Sequence, residues 1–226
     1  MLLNESRQPL SHGALLLEYK NKTWLTVSGI CGVITPIVAF TSIMLAISNY
    51  PPFSWTNNAL SDLGIQNWPT AILFNAGLIV SGILALVFVS GLYIFLKENA
   101  LGKIGVFLFL LDALALIAIG FFPENLKPMH LYASVAFFML FPMSMLINTE
   151  TLLRSGKTKT GLFTLLTALV AAITWILQWT VKFGSGVAIP ETISAISASV
   201  WVVAISGIMI KEASHSGKRQ NPPDSL

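Results

Sequence analysis

Long apolar stretches separated by short polar segments dominate the chain. Six of them reach the about 20 residues that a helix needs to cross roughly 30 Å of hydrocarbon, where every backbone polar group must be bonded within its own segment. They predict spanning helices over residues 24–48, 71–96, 104–122, 129–147, 161–183 and 190–210. The pattern therefore predicts an all-α fold, an integral membrane bundle of six helices.

Polar segments flank this bundle at both ends. We expect an N-terminal segment over residues 1–23, a six-helix membrane domain over 24–210 and a disordered tail over 211–226, because the tail is polar and contains proline. The first span is expected to be retained, since its apolar run exceeds the roughly 7–15 residues of a signal peptide.

The longest loop between spans, residues 49–70, contains the run Asn58-Ala59-Leu60-Ser61-Asp62-Leu63-Gly64. Asparagine or serine at the start of such a run and glycine at its end are typical of helix caps. Apolar residues are interleaved with the polar ones, which is typical of a helix at a membrane surface. The loop therefore predicts a short interfacial helix that caps the bundle on its outer side.

Composition narrows the class of protein further. With 54% hydrophobic and 10% charged residues, against about 25% charged in soluble domains, an ordinary water-soluble fold is excluded. A net charge of +3, spread along the chain, excludes the basic stripe of a nucleic-acid-binding protein. The single cysteine, Cys31, excludes an internal disulfide and a thiolate metal cage. Phosphate-loop, GxSxG and HExxH motifs are absent, and we expect neither cofactor nor metal.

The positive charges predict the orientation of the bundle. Eleven of the thirteen lysines and arginines precede the first span, follow the sixth, or lie in the loops after spans two and four. Lys127 and Lys182 alone are left for the other side. Since lysine and arginine near span ends stay on the cytoplasmic side, both termini are expected to be cytoplasmic in a multi-pass protein of the cell membrane.

Asp112 is the one acidic residue predicted to lie in the interior of a span, away from its ends. A rise of about 1.5 Å per residue places it near the midplane of the bilayer. An ionised carboxylate there costs on the order of 3 kcal/mol, so we expect it to be protonated or hydrogen-bonded inward. Ser81, Thr174 and Ser199 are its candidate partners at the same depth. A structural hydrogen bond between helices and a role in proton transfer or ligand binding both remain open.

His130 begins the fourth span at the predicted outer side. By topology Asp62, Glu124 and Glu191 belong to the same side. One imidazole with converging carboxylates suits metal binding or acid–base chemistry, whereas a histidine that only joins two loops is the simpler alternative. His130, Asp62 and Glu124 are therefore the candidate catalytic residues, and Ser61 with Asp62 and His130 is a weaker hydrolytic set.

Two amides lie just below this level. Asn75 in span two and Gln178 in span five are predicted to form a polar pocket walled by Trp175 and Trp179. Mainly apolar pockets with a few polar groups suit amphiphilic ligands. The candidate ligand-binding residues are Asn58, Ser61, Asp62, Asn75, Asp112, His130 and Gln178.

Several of these residues carry a family resemblance. The run from Asn58 to Gly64, the opening Phe74-Asn75-Ala76-Gly77-Leu78 of span two, and Gly120-Phe121-Phe122-Pro123 followed by His130 resemble the prokaryotic six-span family known as domain of unknown function 998. The Ser-Asp-Leu-Gly run is also distantly similar to a loop of DRAM-like membrane proteins. The resemblance implies a six-span fold and marks the following positions, without a reaction: Asn58, Ser61, Asp62, Gly64, Asn75, Pro123 and His130.

Three functions are consistent with these residues. The leading hypothesis is a membrane protein without enzymatic activity, whose outward-facing polar pocket, lined by Asp62, Asn75, Glu124, His130 and Gln178, binds a membrane lipid or small amphiphile for sensing, scaffolding or membrane homeostasis. The first alternative is a hydrolase of lipid headgroups that uses His130 with Asp62 and Glu124. The second is a proton-coupled carrier that uses Asp112. The sequence does not indicate an oligomeric state.

Overall fold

The computed structural model describes residues 12–96 and 99–218, with side chains over 19–96 and 99–215. These residues form seven helices and no strand. Six are long: α1 (His12–Ser48), α2 (Thr70–Leu96), α3 (Ala100–Phe121), α4 (Met129–Arg154), α5 (Thr158–Thr180) and α6 (Ala188–Lys218). Each is long and apolar enough to cross a membrane. The predicted six-helix membrane bundle is confirmed.

The first and last helices extend beyond the predicted spans. α1 begins at His12 and α6 continues to Lys218, so residues 211–218, assigned to the tail from the sequence, are helical. At about 1.5 Å per residue the 37 residues of α1 span about 55 Å, more than the roughly 40–45 Å of a bilayer with its headgroups. The rest of the predicted disordered tail lies outside the described residues.

The six helices form a closed ring. Each packs against the next in the sequence, and α6 returns to pack against α1. The loops 49–69, 122–128 and 181–187 therefore lie at one end of the bundle, here called the lid end. The loop between α4 and α5 lies at the opposite end, where the Lys157 ammonium is 2.8 Å from the Glu212 carboxylate of α6.

Small residues allow the helices to approach closely, as expected where lipid removes the hydrophobic drive for association. A β-carbon added at Gly120 of α3 would lie 2.5 Å from the backbone oxygen of Asn75 in α2. At Gly207 of α6, by contrast, an added β-carbon would meet no atom within 4 Å. The close packing of α2 against α3 at the lid end thus depends on the absence of a side chain at Gly120.

We predict that Gly120→Ala destabilises the protein relative to Gly207→Ala by about 1–3 kcal/mol, the usual cost of overpacking. Both substitutions gain the same helix propensity, about 1 kcal/mol, so the difference isolates the contact with α2. Denaturant titration in mixed micelles measures it. Equal stabilisation by both substitutions would show that α2 and α3 can separate at no cost.

An aromatic cluster fills the half of the bundle that is farther from the lid end. Trp201 of α6 is fully buried, and its ring centroid lies 5.4 Å from that of Phe109 and 6.2 Å from that of Phe88. Its indole N–H donates to the Thr164 hydroxyl of α5 at 2.9 Å. A second apolar cluster, which includes Leu63 and Phe74, lies at the lid end. The core is therefore divided into two clusters.

The predicted short helix in the first loop is present as a 3-10 helix, η1 (Leu60–Ile65). Leu60 and Leu63 are buried against the bundle, whereas Trp55 and Trp68 are exposed. Residues 54–66, called the lid below, thus close one end of the ring with an apolar inner face.

Candidate functional site

A cavity of about 120 Å³ lies under the lid, between α1, α2, α3, α4 and α6. It lies between the two apolar clusters, because its walls include Ile43 and Leu78 of the lid-end cluster and Phe109 and Val202 of the aromatic one. The ring of helices therefore encloses a space that its core side chains do not fill.

The walls of this cavity are mainly apolar and aromatic, with a few polar groups. The aromatic wall residues are Phe40, Phe74, Phe109, Phe137 and Phe138. The polar wall residues are Thr35, Ser61, Asp112, Ser134, Glu191 and Ser199. Pockets of this composition bind small molecules through apolar contact and use the polar groups for orientation.

Asp112 lines the cavity as a buried side chain that is 4% exposed. Of its three predicted partners, Ser81 and Thr174 donate instead to carbonyls of their own helices, at 2.7 Å each. This back-bonding is the usual way for a helical hydroxyl to satisfy itself. Ser199 lines the cavity with Asp112, but the Asp112 Oδ1 atom is buried without a hydrogen-bond partner among the described residues.

The motif from Asn58 to Gly64 builds the lid. The Asp62 carboxylate accepts hydrogen bonds from the Asn58 side chain at 2.6 Å and from the Ala59 N–H at 3.0 Å. The Glu191 carboxylate of α6 accepts from the Leu60 N–H at 2.6 Å. These carboxylates satisfy the free N–H groups at the start of η1, as side chains do at helix N-termini. Ser61, one of the predicted ligand-binding residues, lines the cavity from the lid.

The two amides predicted to line a pocket hold loops in place instead. The Asn75 side chain donates to the Gly64 carbonyl at 2.8 Å, which ties the lid to α2. Gln178 accepts from the Phe183 N–H at 3.1 Å and donates to the Gly186 carbonyl at 3.2 Å. Neither residue lines the cavity. A side-chain amide carries a donor and an acceptor, which suits it to bind loop backbone.

His130 is buried at the start of α4 and does not line the cavity. Its Nδ1 atom lies 2.7 Å from the Phe122 carbonyl, and its Nε2 atom lies 3.3 Å from the Ser134 hydroxyl. A carbonyl can only accept, so the Nδ1–H donates to Phe122, and Nε2 pairs with the Ser134 hydroxyl. In this way His130 joins the loop after α3 to α4. Among the described residues, no group of three His, Cys, Asp or Glu side chains is placed to hold a metal ion.

Asp62 and Glu124 do converge at the outer surface of the lid. A hydrogen bond with Asp62 raises the pKa of Glu124, and partial burial and the nearby Asp62 charge act in the same direction. The Lys127 ammonium, 3.7 Å from Glu124 Oε1, lowers it. If both carboxylates were ionised, neither could donate a hydrogen bond to the other. The buried Glu124 Oε2 atom would then have no hydrogen-bond partner. Protonated Glu124 supplies the missing donor.

We predict that stability falls as pH rises through the raised pKa of Glu124. A raised acid pKa means that the folded state holds the proton more tightly, so its stabilisation is complete below the ordinary value near 4.5 and lost above the raised value. Glu124→Gln keeps a donor without the charge and should flatten this dependence. Melting temperatures between pH 4 and 8 measure the effect, with Glu150→Gln at an exposed ion pair as control.

Two residues at this site, Glu191 and Ser134, were not among the predicted catalytic or ligand-binding residues. Glu191 is 9% exposed and combines two roles, because it lines the cavity and binds the lid backbone. The sequence signal that could have identified Glu191 was an acidic residue in the first turn of an otherwise apolar helix rich in small residues. Ser134 is one helical turn after His130, so its contact with that ring follows from the i, i+4 spacing.

Comparison with known proteins supports the family resemblance. The chain matches the family model described as "Protein of unknown function (DUF998)" over residues 33–207, which is well over half of its length. No curated protein and no solved structure matches it. The matched range begins within α1 and ends within α6, so it includes the lid and the cavity. This multi-pass membrane protein therefore belongs to the DUF998 family.

Proposed function

We propose that this protein binds a small amphiphile in the cavity under the lid. The cavity carries the proposal, because it places one buried, unpartnered carboxyl oxygen of Asp112 within mainly apolar walls. A ligand with an apolar body and one polar group would fill the space and supply the missing hydrogen bond.

The size of the cavity favours a small ligand over a whole lipid. An apolar cavity of about 150 Å³ in another protein holds benzene. The cavity here, about 120 Å³, suits a ligand or chain end of nearly that size. The lipid proposed from the sequence would enter only through such a chain end.

Binding is better supported than hydrolysis. Both ring nitrogens of His130 already contact Phe122 and Ser134, and neither contacts Asp62 or Glu124. The Asp62 carboxylate is used to hold the start of η1.

A proton-coupled carrier is a second candidate, because Asp112 and Glu191 line the same cavity at different depths. Asp112→Asn in reconstituted vesicles would then abolish ligand-driven proton flux, and unchanged flux would refute the carrier.

The binding proposal is tested by filling the cavity. Ala195 lines the cavity, whereas the next residue, Ile196, is 48% exposed on the outer face of α6. Fluorine NMR would follow para-fluorobenzyl alcohol and para-fluorobenzylamine added to the protein in micelles. We expect saturable binding of at least one probe by the wild type and Ile196→Phe, and none by Ala195→Phe. Binding that survives Ala195→Phe, or no saturable binding of either probe, would refute the proposal.

We also propose that the lid end faces away from the cytoplasm in the cell membrane, as the distribution of positive charges favours. Ser185 at the lid end and Thr158 at the other end are both exposed. In a Cys31→Ser background, an impermeant maleimide should label Ser185→Cys in intact cells and Thr158→Cys only after lysis. The reverse result would invert the orientation.

A further inference from the structure

The charges around the cavity distinguish between classes of ligand. Two carboxyl side chains, Asp112 and Glu191, line it, and none of the described residues that line it is a lysine, arginine or histidine. An anionic ligand would bind beside two acidic side chains without a compensating cation. A cationic ligand would meet opposite charge, which counts for more in a low-dielectric interior than in water.

Of the two carboxyls, Asp112 is the one free to bind a ligand. Glu191 already uses its Oε2 atom to accept from the Leu60 N–H of the lid, at 2.6 Å. Asp112 is 4% exposed, and its Oδ1 atom has no partner among the described residues. A buried carboxylate without a partner is costly, and a ligand that supplies an opposite charge offsets that cost.

The aromatic walls favour the same class of ligand. Phe109 of α3 and Phe137 and Phe138 of α4 line the cavity together with Asp112. The face of an aromatic ring carries negative charge density and attracts a cation within about 6 Å of its centre. The same rings provide apolar contact for an uncharged ligand body, so a ligand with both features uses the whole wall.

We propose that the ligand is a small protonated amine with an apolar body, whose ammonium group binds the Asp112 carboxylate. This rests on the proposed binding function and adds the chemical class. With about 120 Å³ available, the body is limited to roughly one aromatic ring or a short alkyl chain. The ammonium donates to Asp112 Oδ1, and the bond between Glu191 and Leu60 keeps the lid closed above it.

Three probes of one size separate this proposal from binding in general: para-fluorobenzylamine, para-fluorobenzyl alcohol and para-fluorobenzoate, which are cationic, neutral and anionic at neutral pH. Affinities are measured by fluorine NMR in micelles, and the signal from Ala195→Phe is subtracted as partition into detergent. We expect the amine to bind at least tenfold more tightly than the alcohol, and the benzoate not to bind.

Asp112→Asn tests the carboxylate itself, because the amide keeps the shape and removes the charge. We expect it to weaken amine binding at least tenfold and to leave alcohol binding within about threefold. Equal binding of amine and alcohol by the wild type, or amine binding unchanged by Asp112→Asn, would overturn the amine proposal while leaving the binding function in place. Absence of any binding sensitive to Ala195→Phe would overturn both. The wild-type comparison of probes decides the question even where Asp112→Asn does not fold.

Discussion

Trp201→Ala is expected to lower the free energy of unfolding by about 3 kcal/mol, the low end of the range for a large aromatic truncated in a core. Trp201 is fully buried among Phe88 and Phe109, and its indole bonds to Thr164. The substitution leaves a void and removes the indole hydrogen bond, although the Thr164 hydroxyl still donates to the Thr160 carbonyl at 2.8 Å. The low end applies because lipid, unlike water, also solvates the indole in the unfolded state. Detergent-driven unfolding followed by circular dichroism measures the loss.

Trp179→Ala is the matched control for this substitution. Trp179 is on the neighbouring helix α5 and is 74% exposed, so its removal should change the free energy of unfolding by no more than about 0.5 kcal/mol. If both variants lost the same stability, the aromatic cluster beneath the cavity would not be the packed region that the structure describes.

Gly186→Val is expected to release the lid. A β-carbon at Gly186 would lie 2.5 Å from the backbone nitrogen of Asn58, and backbone cannot move aside as a flexible side chain can. Two backbone hydrogen bonds join this segment to the lid, from the Gly186 N–H to the Thr56 carbonyl and from the Ala188 N–H to the Asn58 carbonyl, each 2.9 Å. Overpacking at about 1–3 kcal/mol and two bonds at about 0.5–1.5 kcal/mol each predict a loss of about 2–6 kcal/mol.

Hydrogen exchange at the Leu60 amide reports on this release, because that N–H donates to Glu191 when the lid is closed. A local loss of 2 kcal/mol corresponds to exchange roughly 30-fold faster. Gly207→Val adds the same side chain where nothing lies within 4 Å of the added β-carbon, and should leave the rate nearly unchanged. Unchanged exchange in Gly186→Val would mean that the loop 181–187 does not hold the lid.

The membrane spans were predictable because lipid imposes one dominant constraint. A segment that crosses hydrocarbon must bond its own backbone, so apolar length alone identified all six helices, and the glycine-terminated run identified the short helix between the first two. The helix ends were less predictable. Helices such as α1 continue into the polar region beyond the hydrocarbon, where the apolar pattern no longer marks them.

The site was predictable only in part, because depth can be counted along a helix but rotation cannot. The depth of Asp112 in its span was evident, and it lines the cavity as a membrane-buried acid often does. Asn75 and Gln178, predicted to line a pocket, bind the backbone of the loops next to their helices. A single sequence does not reveal whether an amide faces a ligand or a loop carbonyl.

The return of α6 to α1 determines when the site can exist. The last helix provides Glu191 for the lid, Ser199 and Val202 for the wall, and Trp201 beneath it. During synthesis the ribosome makes this helix after all the others, so an unfinished chain has neither a closed cavity nor a covered inner face on α1. The ligand proposed above would therefore stabilise only chains that include α6, and a chain that stops in the loop 181–187 would leave the inner face of α1 without this packing partner.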